Sequence, residues 1–326
     1  TRRYHGLLVA ALTPPVGRTV LVGGLLEWAV HDGGRIALHA HEHADGTIDG
    51  DGHRFLESFE LDGLLPVWTY AVADALLEKR IWMAHGSNTT YLRYSLSRAR
   101  GPLGLEVSPL VTARDHHVLP PAGPGGPGTE PTIEPLAGGR VGASVRWPDG
   151  GPSFVLPAAF GAFEPGAAWL RDFRHREETA RGLDDRSDLF APGTFHISLQ
   201  PGDSWTLVLS TEPDPDPDGE SALASELDRQ AELLARARAT RSGAVVRTLV
   251  LAADQFLVDR RIPGAGKDGG PLAGRSVIAG YPWFNDWGRD TMIALPGLTL
   301  ATGRPEEAAA ILRAFAVFAR DGLLPN

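Results

Sequence analysis

Over residues 1–211 the apolar positions recur with a period of two. In TTYLRYSLS, Leu92, Tyr94 and Leu96 alternate with Tyr91, Arg93 and Ser95, which predicts a strand with one buried and one exposed face. RTVLVGGLLEWAV, LLPVWTYAVAD, ALLEKRIWMA and GLEVSPLVT are equally short and rich in Val, Leu, Trp and Tyr, and Gly, Pro, Asn and Asp separate them. PGTFHISLQPGDSWTLVLST reads as two closing strands joined by a PGD turn. So many antiparallel strands in roughly 200 residues predict a large two-sheet β-sandwich. PPAGPGGPGTE, residues 120–130, is too rich in Pro and Gly to pack and reads as a loop.

After residue 211 the period changes. TEPDPDPDGE, residues 211–220, alternates proline with acid and predicts a stiff, solvated linker. SALASELDRQAELLARARAT follows as a linking helix, so residues 212–240 form the connection between two domains. From 241 to 326 the spacing is helical: Val245, Val246, Leu249, Val250, Ala253, Phe256 and Leu257 share one face of a helix ending near Arg261. A Gly/Pro-rich loop, RIPGAGKDGGPLAGRS, is expected to lie over a pocket. The next helix starts near Asp290, predicted as its N-cap, and Pro296 is expected to kink or shorten it. A last helix runs from Pro305, with Glu306 and Glu307 in its first turn, to Arg320 before Gly322. Ala308, Ile311, Leu312, Phe315 and Phe318 form its apolar stripe. The fold class is therefore a β + α multidomain chain.

Composition narrows the partners. A chain of 326 residues, 43% apolar and 22% charged, reads as a soluble globular protein of two domains. A net charge of −9 without a basic run argues against nucleic acid or an anionic membrane as partner. No apolar run approaches the roughly 20 residues of a spanning helix. The absence of cysteine excludes disulfides, thiolate catalysis and iron–sulfur clusters, and suits a reducing cytoplasm. Lysine occurs only at Lys79 and Lys267. Thr1 opens the chain abruptly and DGLLPN ends it where a loop is expected to continue, so both ends read as cuts in a longer protein.

The densest chemistry lies in GYPWFNDWGRDT, residues 280–291. Trp283, Phe284 and Trp287 offer aromatic faces for the C–H side of a pyranose. Asp286, Asp290 and Arg289 offer acceptors and a donating fork for its vicinal hydroxyls. The competing reading is an N-cap aspartate, an ion-paired arginine and core tryptophans.

Three further constellations compete. His39, His41 and His43 alternate, so a strand places all three imidazoles on one face, where they could ligate zinc in a metal-dependent hydrolase. The alternative is a polar edge strand followed by an Asp/Gly turn, with no metal. RDHH at 114–117 and EETARGLDDRSD at 177–188 gather charge, with Glu177, Arg181 and Asp184 either bordering a site or pairing between domains. Arg2 and Arg3 in the opening RRYHG either bind phosphate or sugar or protect a strand edge. No phosphate-binding glycine loop or G-x-S-x-G elbow occurs.

TRRYHGLLVAAL, RGLDDRSDLFAPGTF and, above all, YPWFNDWGRDTMIALPGLTLATGR with the following DGLLPN resemble the glycogen debranching enzyme family of bacterial and archaeal type. The first two resemble its N-terminal β domain and the last the start of its amylo-α-1,6-glucosidase domain. The resemblance implies an N-terminal sandwich (1–211), the connection (212–240) and the first helices of an (α/α)6 toroid (241–326). It implies inverting hydrolysis of α-1,6-linked glucose at glycogen or limit-dextrin branch points, in the cytoplasm, with no cofactor. Related toroid glucosidases such as glucoamylases carry a similar Trp-x-Arg-Asp segment whose Arg and Asp grip the terminal glucose. That assigns Arg289 and Asp290 to the glucose, Trp283 and Trp287 to the pocket walls, and Asp286 a weaker role. An inverting pair stands roughly 6.5–9.5 Å apart across the sugar, whereas Asp286 and Asp290 share one short turn. The acid and base are therefore expected beyond Asn326, with Asp290 as general acid the runner-up. A non-catalytic carbohydrate-binding or scaffolding module is the alternative from another class.

Overall fold

The computed structural model of the chain describes residues 2–119, 130–148, 150–264 and 270–324. These gather into two units, residues 1–10 with 19–223 and residues 11–18 with 224–326. The loop expected at 120–130 lies, but for Glu130, outside the described residues.

In chain order the strands are β1 (Leu8–Thr13), β2 (Val16–His31), β3 (Gly34–Ala37), β4 (His41–Glu42), β5 (Ile48–Asp49), β6 (Leu56–Asp62), β7 (Leu65–Val72), β8 (Ala75–Met83) and β9 (Thr89–Arg98). There follow β10 (Leu103–Asp115), β11 (Thr132–Pro135), β12 (Gly142–Arg146), β13 (Ser153–Pro157), β14 (Ala162–Arg174), β15 (Arg186–Leu199), β16 (Ser204–Ser210), β17 (Leu257–Ile262) and β18 (Leu272–Val277). The helices are α1 (Arg176–Ala180), α2 (Glu220–Arg236), α3 (Ala244–Asp254), α4 (Gly288–Leu295) and α5 (Pro305–Ala316). Among the described residues no helix is long and apolar enough to cross a membrane.

The first unit is the expected pair of antiparallel sheets. One runs β1-β2-β10-β15-β14 with β3 on β2, and the other β11-β12-β13-β16-β9-β8-β7-β6. Register explains how they close. Across the second sheet Phe59, Trp68, Lys79, Tyr94 and Trp205 lie in one row. Across the first, Glu27, Val107, Phe195 and Phe163 lie in another. The rows face each other, with Phe195 and Trp205 rings 5.7 Å apart in the core and Glu27 paired with Lys79 at 2.7 Å beside it. Gly202, at φ 96°, makes the predicted PGD turn, closed by Asp203 N–H on Gln200 O at 2.9 Å.

One expectation here needs correction. The outer face of β9 is covered: Tyr91 stacks on Trp82 at 5.3 Å, with Leu65, Val208, Ala222 and Leu223 around them. The cover comes from Gly219 and the start of α2, and the 211–220 segment before it, largely exposed as expected, is also tied to the sandwich unit. Arg93 donates to Asp218 O at 2.8 Å, Arg140 pairs with Asp214, and Pro215 and Gly219 are buried. Arg93 on β9 also pairs with Glu220 at 2.9 Å, so arginines far away in sequence anchor this segment.

The charged stretches find partners within this unit. Arg2 pairs with Glu177 at 3.4 Å and Arg3 with the buried Glu178 at 3.7 Å. Arg114 donates to Arg3 O, and Tyr4 OH meets His117 Nδ1 at 3.1 Å. Arg2 and Arg3 thus tie the chain start to α1. Burial, and next the Arg114 charge, lower the His175 pKa from 6.5 to about 4. Between those values the unfolded chain binds a proton that the folded chain refuses, so stability falls as pH drops through this window, by at most about 3 kcal/mol. Urea unfolding at pH 7 and at about pH 4.5 is expected to show a larger acid loss in the wild type than in His175→Gln. Equal losses would contradict it.

In the second unit, Leu257, Val277, Leu295, Ala308, Ile311 and Phe315 form the core. The helix expected to reach Arg261 stops at Asp254, and Leu257 begins a hairpin of β17 with β18. The predicted loop is therefore two strands, with residues 265–269 outside the described ones. Gly274 has its place because a Cβ there would stand 2.9 Å from Ala314 Cβ. On α3, Val250 and Leu251 are buried while Val245 and Leu249 of the predicted apolar face are exposed. The described residues form α2–α5 and this hairpin, not a closed toroid.

Candidate functional site

The 280–291 segment is a turn fixed at both ends. It is entered through a bridge between Ile278 and Asp286, with Ala279 N–H on Asn285 O at 2.9 Å and Phe284 N–H on Gly280 O at 2.8 Å. It leaves through α4, whose cap is Trp287: Thr291 N–H donates to Trp287 O at 2.9 Å. Asp290 is therefore not the N-cap. It lies in the first helical turn, where the helix dipole favours its charge while its side chain stays in solvent. Pro296 ends α4 as expected, followed by a π-helical turn over Pro296–Leu300.

The two aspartates differ. Asp286 has a side chain only 8% exposed, pairs with Arg260 and accepts from Ser276 Oγ at 2.7 Å, both on Oδ2. It braces the turn against the hairpin. Asp290 is exposed and, among the described residues, makes no ion pair or hydrogen bond.

A residue the sequence did not single out holds the turn's shape. Arg18, 7% exposed, donates to Pro282 O at 3.2 Å, Phe284 O at 2.6 Å and Asn285 Oδ1 at 3.1 Å, and its guanidinium lies 5.4 Å from the Tyr281 ring centre. One planar fork thus serves two backbone carbonyls and a side-chain amide oxygen of the turn together. Arg18→Ala is expected to cost roughly 1–3 kcal/mol of stability in this unit and to weaken any ligand the turn holds. Unfolding midpoints measure the first and titration the second. A variant unchanged in both would contradict the role.

The turn leaves Phe284 51% and Trp287 41% exposed, with ring centres 6.4 Å apart and planes at 85°. Trp283 is half-buried and Arg289 exposed. Trp287, Arg289 and Asp290 thus follow one another at the start of α4 with their side chains accessible, next to Phe284, whereas Asp286 faces inward.

The histidines form no metal site, although the His39 and His41 rings stack at 5.3 Å. His41 Nε2 donates to Leu25 O at 2.8 Å, His43 Nδ1 lies 3.0 Å from Arg171 O, and His39 Nδ1 meets the Glu27 backbone at 2.9 Å. Among the described residues no group of three His, Cys, Asp or Glu could hold a metal ion. The backbone takes the ring nitrogens that the alternation of His39, His41 and His43 offered to zinc.

Residues 1–206 match the family described as glycogen debranching enzyme N terminal, and residues 251–326 match amylo-alpha-1,6-glucosidase. The chain belongs to the glycogen debranching enzyme family. The glycogen debranching enzyme of Saccharomyces cerevisiae is 46% identical over 56 residues, 16% of this chain and 4% of that enzyme's length. The chain therefore matches only a small part of its curated debranching-enzyme relative. A polysaccharide lyase structure overlaps 61% of this chain and 27% of its own at 14% identity and a TM-score of 0.31, too low for inference. The turn at 280–291, with Trp287 and Asp290, falls inside the glucosidase match.

Proposed function

We propose that the 280–291 turn grips the terminal α-1,6-linked glucose at a glycogen or limit-dextrin branch point, in an amylo-α-1,6-glucosidase. The observation that carries this reading is the free, exposed carboxylate of Asp290 one helical turn from Trp287, within the stretch that matches the glucosidase family. The indole face packs on the pyranose C–H side while Asp290 accepts, and Arg289 donates, hydrogen bonds at vicinal hydroxyls. Residues 241–326 contribute these groups to an (α/α)6 toroid, and residues 1–211 form the N-terminal domain.

The turn holds glucose without cleaving it. An inverting pair needs carboxyls roughly 6.5–9.5 Å apart on opposite faces of the sugar. Asp286 is committed to Arg260 and Ser276, which leaves Asp290 without a partner on this turn. The acid and base are supplied from outside it. Incubation of the chain with a glucosyl-branched dextrin is expected to release negligible glucose. Clear turnover abolished by Asp290→Asn would instead make Asp290 the general acid.

A further inference from the structure

A cleft of about 300 Å³ opens in the sandwich unit, its wall mostly apolar with a few polar groups, lined by Gly23, Gly24, Glu27, His39, His41 and Lys79 among others. Its wall carries more hydrogen-bonding capacity than the protein uses. Glu27 bridges the sheets through one oxygen: Oε1 accepts from Lys79 Nζ at 2.7 Å and Tyr94 OH at 2.5 Å, while Oε2 accepts nothing. Lys79 gives one of its three N–H groups to that carboxylate and, among the described residues, the others to no oxygen or nitrogen acceptor, the ammonium lying 5.9 and 5.7 Å from the Trp68 and Tyr94 ring centres. His41 donates from Nε2 to Leu25 O, so its Nδ1 is left as an unused acceptor, and burial lowers its pKa and keeps the ring neutral. His39 Nδ1 lies 2.9 Å from both the N–H and the carbonyl oxygen of Glu27, and its Nε2 is buried without a hydrogen-bond partner among the described residues, 3.8 Å from Asp49 Oδ2.

Burying an ion pair costs desolvation that its mutual attraction repays only with further hydrogen bonds. A chain with two lysines places one of them here, in a row otherwise aromatic, beside Tyr94. The charges of Lys79 and Glu27 cancel, which removes any preference for an ionic ligand. The size stands at the low end of ligand pockets, enough for one ring and not for a chain. Hydroxyl groups, each both donor and acceptor, complement a wall that offers both.

We infer that this cleft binds a neutral polyhydroxylated ring, a single hexose or the terminal unit of an oligosaccharide, between Glu27, Lys79 and His41. The site stands on its own geometry and does not rest on the role given to the turn at 280–291.

The test is titration of the chain with D-glucose and with cyclohexanol, a ring of the same size bearing one hydroxyl, followed by saturation-transfer NMR. Weak, roughly millimolar, glucose binding is expected, with none for cyclohexanol. His41→Phe keeps the ring contacts to His39 and Phe173 (5.3 Å each) and removes the acceptor. It is expected to lower that affinity at least about tenfold. Gly24→Ala, whose Cβ meets His41 Cε1 at an ordinary 3.5 Å, fills part of the cleft without disturbing the fold and is expected to weaken binding too. The component lost in these variants is expected to survive in Asp290→Ala, which separates the cleft from the turn. Absence of glucose binding, binding equal in Gly24→Ala and wild type, equal uptake of cyclohexanol, or loss of all binding in Asp290→Ala overturns the inference.

Discussion

Asp254→Ala is expected to destabilise the second unit by about 3–5 kcal/mol, the usual cost of stripping a buried charge of its partner. Asp254 is 8% exposed and receives Arg304 Nη1 at 2.5 Å and Arg229 on its two oxygens. Arg304, 3% exposed, otherwise reaches only Leu298 O at 3.0 Å and Thr302 Oγ1 at 3.1 Å. Without the carboxylate its charge stays buried and unpaired, and α3 loses its tie to both neighbours. A loss of that size takes a large share of the roughly 5–15 kcal/mol that holds a domain together. Urea unfolding of wild type and variant measures it. A difference under about 1 kcal/mol would place the ion pair among those that contribute little.

Asp290→Ala carries the opposite signature. Among the described residues its carboxylate makes no ion pair or hydrogen bond, so the fold loses only its place near a helix N-terminus, about 0.3–1 kcal/mol. Saccharide affinity at the turn is expected to fall roughly ten- to hundredfold, the worth of a hydrogen bond to a charged group. Calorimetric titration with isomaltose and thermal unfolding report the two quantities separately. Asp286→Ala reverses the pattern, because it releases Arg260 and Ser276 and acts first on stability. Equal affinity in Asp290→Ala and wild type would remove Asp290 from the site.

The strands were legible because alternation is a local signal: Leu92, Tyr94 and Leu96 fix the face of β9 without reference to the rest of the chain. What covers the other face was not, since Tyr91 and Trp82 are buried by residues from α2, far along the sequence. The Pro–Asp run reads as a solvated linker, and its contacts to Arg93 on β9 and to Arg140 before β12, both distant in sequence, left no local signal. On α3 the helical period continues by accident into Phe256 and Leu257, and the pairing of β17 with β18 overrides it. At the turn, residue types announced the aromatic and charged groups but not the division between Asp286, braced inward, and Asp290, free. That division depends on Arg260 and Ser276. Arg18 left no signal, being 264 positions from the carbonyl of Pro282 that it holds.

The glucose-gripping turn is tested most directly by following the indole N–H signals of the eight tryptophans as isomaltose is added. The account predicts that the Trp283 and Trp287 signals shift, and that those shifts vanish in Asp290→Ala. Saccharide binding that leaves both signals in place would contradict it.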